Sequence, residues 1–187
     1  LVVGWAFSGF MQGVAGFGVP VAVVAPLMVL MGFKPVQAAA IVLVGHAWAV
    51  SFGSLGSSYY TIQLVTGIEG DVIGPHMAAL FALPIVATGF AVAHLQGGMA
   101  SVRRGIPIIV VMGAAMAISM WVVAVIGAPQ VASIASGLVG CAVGWAAARF
   151  WLLPGRQPSA APSTPAADAG APREPRLGFH LAFLPYY

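Results

Sequence analysis

Apolar residues run along this chain in long blocks rather than at the spacing of a helix with one wet face. Residues 75–94, 106–126 and 131–153 are such blocks. Each approaches the roughly 20 apolar residues that a helix needs to cross ~30 Å of hydrocarbon. The last two are joined by Gly127-Ala128-Pro129-Gln130, a turn short enough to make them antiparallel neighbours. Two earlier blocks are irregular. Residues 1–31 are apolar throughout but interrupted by Gly13, Gly16, Gly18 and Pro20, and residues 35–68 are too long for one straight span and broken by Gly53, Gly56 and a run of hydroxyl side chains. The pattern predicts an all-α, polytopic transmembrane helical bundle with interrupted helices.

The polar remainder fits that reading. Charged residues are 6% of the 187, hydrophobic ones 60%, and the mean hydropathy is +1.00. A soluble fold of this size needs far more charge to cover itself, so the apolar surface is expected to face a lipid bilayer. The net charge of +3 is spread over seven basic residues, which suits the loops of a membrane protein and gives no reason to expect nucleic acid as a partner. Cys141 stands alone, without a disulfide or metal-ligating companion. No cofactor motif, metal cluster or phosphate loop is apparent in the sequence.

Lys34, the Arg103/Arg104 pair, and Arg149 with Arg156 fall at alternate turns of the path. Placing them all in the cytoplasm puts the loop with Glu69 and Asp71 outside. Residues 1–153 form the expected membrane region. Residues 154–176, rich in Pro, Ala and Ser, read as a disordered cytoplasmic linker, and residues 177–187 as the start of a further membrane segment. Both ends look cut, which suggests an internal fragment of a longer chain.

The two irregular blocks carry the candidate chemistry. Broken helices persist at membrane depth only where they face protein or a wet cavity, and a half-helix N-terminus offers free N–H groups to an anion. In Gly13-Val14-Ala15-Gly16-Phe17-Gly18-Val19-Pro20 the glycines permit an unwound backbone, and Pro20 suits the first turn of a new helix. Gly13-x-x-Gly16 also reads as a helix-packing face. The second interruption is Ser51-Phe52-Gly53-Ser54-Leu55-Gly56-Ser57-Ser58-Tyr59-Tyr60-Thr61. Its hydroxyls can line a path or cap a half-helix over residues 61–68; the simpler reading is an extracellular loop.

The run Phe10-Met11-Gln12-Gly13-Val14-Ala15-Gly16-Phe17-Gly18-Val19-Pro20-Val21-Ala22, followed by Gly32-Phe33-Lys34-Pro35, resembles the signature of the L-lactate permease family. Phe52-Gly53-Ser54-Leu55-Gly56 and Val65-Thr66-Gly67-Ile68-Glu69 follow in the family's order. The resemblance covers residues 4–153. It implies proton-coupled uptake of lactate, glycolate and similar 2-hydroxy monocarboxylates through the inner membrane by a chain of a dozen or so spans. It also implies a re-entrant hairpin over residues 1–31, tipped near Gly16-Phe17-Gly18. This chain departs from the family pattern at three places. Gln12 stands where an acidic residue is usual, His46-Ala47 where an Asn-Thr pair is expected, and Phe81 where an arginine is expected.

The expected function is therefore secondary active transport of a small organic anion with proton symport, at the cell inner membrane, by this region together with the remainder of a full-length chain. The expected substrate contacts are Gln12, Gly13, Gly16, Phe17, Gly18, His46, Ser51, Ser54, Ser57 and Ser58. His46, ionisable and within a span, is also the expected proton carrier; its alternative is a neutral packing histidine. Of the tryptophans, Trp48 alone lies close enough to the second break to touch substrate. A channel is the first competing reading. An intramembrane serine hydrolase using Ser54 with His46 as base is the second, but two helical turns, about 12 Å, separate the pair unless the break folds back.

Overall fold

The computed structural model describes residues 1–16 and 18–149. Phe17 lies outside them, as do the expected linker and the segment after it. The described residues form an all-α membrane helical protein, with no strand among them. A wide π-helical stretch, Val2–Phe7, leads into α1 (Ser8–Val14). Then come α2 (Val19–Leu30), α3 (Pro35–Gly45), a tight 3-10 segment Ala47–Phe52, α4 (Gly53–Thr66), α5 (Gly70–Val125) and α6 (Ala132–Ala147).

The helix α5 folds back on itself. Its backbone leaves helical geometry at Gly97 and Gly98, where Gly98 has φ +65° and ψ −161°, a conformation essentially open only to glycine. The arms, residues 70–96 and 99–125, run antiparallel. A Cβ placed at Gly113 meets Val86 at 2.9 Å, and one at Gly89 meets Ile109 at 3.0 Å and the Trp5 ring at 2.7 Å. Each arm is about 40 Å long at 1.5 Å per residue, longer than the blocks expected at 75–94 and 106–126. Both Gly70–Val125 and Pro129–Ala147 are long and apolar enough to cross a membrane.

On α6, Ser133, Ser136, Gly137, Gly140 and Gly144 are buried. This small-residue face lets backbones approach closely, as apolar surroundings favour. A Cβ built on Gly137 would lie 2.7 Å from the Phe10 backbone, and one on Gly140 would lie 2.6 Å from Met116 and 2.8 Å from Ala6. Facing outward, Leu80, Leu83 and Ile118 are 73%, 76% and 62% exposed, a surface that suits lipid and not water.

The charged residues sort to the two ends. Gln37 Nε2 donates to the Leu95 carbonyl at 2.8 Å, which brings the start of α3, preceded by Lys34, to the turn between the arms. A cavity of about 350 Å³ at that end is lined by Leu1, Gln96, Arg104 and Ala148, among others. At the opposite end, Tyr59 donates to Gly70 O at 2.8 Å and Tyr60 to Gln130 Oε1 at 3.1 Å, and a cavity there joins Gln63 and Asp71 to Gly127.

Candidate functional site

Both interrupted blocks are broken, and the breaks meet. In the first, α1 ends at Val14 and α2 starts at Val19, with Gly16 at φ +62° and Gly18 at φ +90° between them. The chain thereby reverses toward Lys34 within a few residues. Pro20 sits in the first turn of α2, as its lack of an N–H allows. The Val19 N–H bonds back to Gly16 O at 3.0 Å, which closes the tip.

The second break starts earlier than the hydroxyl run suggests. Helix α3 stops at Gly45, the 3-10 segment takes over at Ala47, and α3 and the following stretch are bent by 48°. Gly53 is extended, and Ser54, Leu55 and Gly56 then lie in the left-handed region, with φ 49°, 55° and 79°. For residues with a Cβ this costs about 1–2 kcal/mol each, the kind of strain that collects at functional sites. Regular helix resumes at Ser57, not near Thr61. Ser57 and Ser58 therefore lie inside the resumed helix and not ahead of it. Ser57 is exposed and Ser58 half-buried.

One face of α1 runs along the second break. Gly9 lies under the Trp48 ring, Gln12 lies against Gly53, and Gly16 lies against Ser54 Oγ. Any Cβ at Gly9 or Gly16 collides with those groups. Gly13 faces elsewhere, onto Ser133 and Ile134 of α6. From there Ser133 Oγ donates to the Ala49 carbonyl at 3.0 Å, holding a backbone acceptor within the 3-10 segment.

The polar inventory at this crossing is unusual. Gln12 is 3% exposed and Trp48 fully buried. Gln12 Oε1, Trp48 Nε1 and Ser54 Oγ are buried without a hydrogen-bond partner. A buried polar group left unpaired costs about 1–3 kcal/mol, and such groups call for an explanation. His46 is half-buried, and its Nδ1 lies 2.6 Å from the Val42 carbonyl of its own helix. With Nδ1–H donating there, Nε2 is the free position. Ser54 Oγ, being unpartnered, makes no hydrogen bond to His46, so the nucleophile–base contact of a serine hydrolase is not formed. Ser51 is half-buried in the 3-10 segment, and Gly18 borders open space, with nothing within 4 Å of a Cβ built on it.

The structure thus brings Gln12, Gly16 and Ser54 together, places His46, Ser51 and Gly18 on the two breaks, and leaves Ser57 and Ser58 in regular helix. Sequence reasoning did not find Gly9 or Ser133. For Gly9 the available signal was its spacing from Gln12, since residues three apart share a helix face.

The L-lactate permease family profile matches residues 1–161. The chain belongs to that family. An L-lactate permease of Escherichia coli (strain K12) is 33% identical over 139 residues, covering 74% of this chain and 25% of the relative. An L-lactate permease of Halalkalibacterium halodurans is 32% identical over 143 residues, covering 74% and 27%. A glycolate permease of Escherichia coli (strain K12) is 32% identical over 139 residues, with 74% and 25% covered. The chain spans about a quarter of the length of these relatives. No solved structure matches it. Within this L-lactate permease segment, both expected interruptions are therefore features of the backbone.

Proposed function

We propose that this region forms part of the substrate path of a secondary active transporter for a small organic anion. Lactate or a related 2-hydroxy monocarboxylate is the substrate, and a proton is carried with it. The observation that carries the reading is the meeting of two helix breaks around buried, unpartnered Gln12 and Ser54 side chains. Broken helices at membrane depth supply sites for polar solutes. Relatives named as lactate and glycolate permeases support the substrate class.

Among the described residues, the basic side chains lie toward the helix ends and not at this crossing. Compensation for a carboxylate comes instead from neutral donors and from the positive ends of α2 and the resumed α4 helix. His46, anchored through Nδ1, offers Nε2 as the proton acceptor. The segment spans the inner membrane several times, with Lys34, Arg103 and Arg104 in the cytoplasm and Glu69 and Asp71 outside. The bilayer and the remainder of the full-length chain complete the assembly.

The test is uptake of labelled L-lactate by the full-length protein in membrane vesicles, with and without an inward proton gradient. Saturable uptake stimulated by the gradient is expected. Gradient-independent uptake removes the coupling, and no uptake of any 2-hydroxy monocarboxylate removes the substrate class. Orientation has its own readout. Impermeant labelling from outside is expected to reach a cysteine at position 71 and not one at 103, and the reverse overturns the assignment.

A further inference from the structure

The two fully buried indoles of this segment differ in one respect. Trp5 Nε1 donates to Thr88 Oγ1 at 3.1 Å, whereas Trp48 Nε1, equally buried, has no acceptor. The Trp48 ring rests on Gly9, three residues before Gln12 on the same face of α1, so both side chains border one stretch of that helix about one turn, ~5 Å, long. Gln12 turns Nε2 toward Gly53, where a Cβ would sit 3.0 Å away, and leaves Oε1 unpartnered. The crossing therefore presents one unpaired donor and one unpaired acceptor.

The chemistry of that pair is selective. An indole N–H can only donate, and an amide oxygen can only accept. An ionised carboxylate has acceptors alone and leaves Gln12 Oε1 unmatched. A hydroxyl is donor and acceptor at once and matches both. We propose that Trp48 and Gln12 read the 2-hydroxyl of the substrate, its O–H donating to Gln12 Oε1 and its oxygen accepting from Trp48 Nε1–H. Ser54 Oγ–H, on the next part of the same face, donates to a carboxylate oxygen. Trp48 is thus a specificity-determining residue, which the sequence marked only by its nearness to the break. These atoms are shielded when the breaks are in contact, so the α1 face and the 47–56 stretch part to admit the substrate, and Gly16, Gly18 and the left-handed turn at Ser54–Gly56 are the places where the backbone can swing. The inference rests on the proposed transport of 2-hydroxy monocarboxylates.

The experiment is competition for labelled L-lactate uptake by the full-length protein in vesicles, using propionate and 2-methoxypropionate. The first lacks the hydroxyl, and the second keeps its oxygen but cannot donate. Wild type is expected to bind both at least about tenfold more weakly than L-lactate. Trp48→Phe, which keeps the ring and loses the N–H, is expected to reduce the discrimination against propionate about tenfold, and Gln12→Met to reduce discrimination against both analogues. Trp5→Phe is expected to leave every ratio unchanged. Equal competition by all three acids in wild type overturns the inference without any variant. Unchanged ratios in Trp48→Phe and Gln12→Met do so too, even when the amount of inserted protein falls. Failure of wild type to carry any 2-hydroxy acid sinks instead the reading on which this one rests.

Discussion

The α5 hairpin with α6 and the crossed breaks of residues 1–66 are built from the same apolar alphabet but treat polar atoms in opposite ways. Along the hairpin the helix continues through Pro75, Pro84 and Pro107, and among the described residues no buried side-chain atom of the hairpin or α6 lacks a partner. Thr88 Oγ1 donates to the Pro84 and Ile85 carbonyls at 2.9 Å and accepts from Trp5, and Ser136 donates to Met116 O at 2.8 Å. At the crossing, helices are short, two turns are left-handed, and the buried unpartnered side-chain atoms among the described residues all belong to Gln12, Trp48 and Ser54. One region satisfies itself. The other keeps hydrogen-bonding capacity in reserve, which is how a scaffold differs from a site that must receive a polar solute.

The sharpest way to break this contrast is Gly16→Ala. The added methyl runs into Ser54 Oγ on a backbone with φ +62°, combining overpacking of about 1–3 kcal/mol with left-handed strain of about 1–2 kcal/mol. Loss of uptake with retained membrane insertion is the expected outcome, measured by vesicle uptake against protein level. Normal uptake by this variant removes the crossing as the site. Gly18→Ala isolates the strain, because its Cβ meets nothing within 4 Å, and a smaller loss is expected in the same assay.

The scaffold side predicts a different signature. Gly113→Leu pushes against Val86, 2.9 Å from the Cβ position, and is expected to lower stability by roughly 1–3 kcal/mol while the protein that still inserts keeps its KM. Thermal unfolding in detergent alongside uptake kinetics checks both halves. Ser133→Ala removes the hydrogen bond to Ala49 O. It is expected to cost about 1 kcal/mol and, unlike Gly113→Leu, to raise KM, because it loosens the break itself.

Much of this fold was legible because membranes simplify the code. Apolar blocks of spanning length located both arms of α5, and Gly127-Ala128-Pro129-Gln130 located the turn into α6. The clustering of Gly13, Gly16, Gly18 and Pro20 located the first break. The second was harder. Hydroxyl residues pointed to residues 51–61, whereas the helix gives way at His46 in a stretch, Ala47-Trp48-Ala49-Val50, that carries no breaker. That departure is set by tertiary contacts: Gly9 under Trp48, and Ser133 on Ala49 O. Neither is visible from local sequence, because the partners lie far apart along the chain. The unpaired state of Trp48 is likewise a property of the assembled fold, since Trp5 and Trp48 look alike as letters.

Smaller effects sharpen the comparison further. His46→Ala removes the Nε2 proposed to carry a proton, and a flattened dependence of uptake on external pH, with expression unchanged, is expected. A pH profile identical to wild type makes His46 a helix-end residue held by Val42 O and nothing more. Smallest of all is Leu55→Gly. In a regular helix such a change costs about 1 kcal/mol. At φ 55° relief of left-handed strain is expected to cancel that cost, leaving the unfolding midpoint close to wild type.

The left-handed turn at Ser54, Leu55 and Gly56 has a mechanical consequence. Two right-handed helices joined end to end transmit rotation about their common axis, as a stiff rod does. Reversing the hand for a few residues between α3 and the regular part of α4 interrupts that transmission, because twist applied to one side unwinds the junction instead of turning the other. The two halves of this crossing segment are then joined by a swivel and not by a rod, so rotation at the end near Lys34 need not turn the end near Glu69.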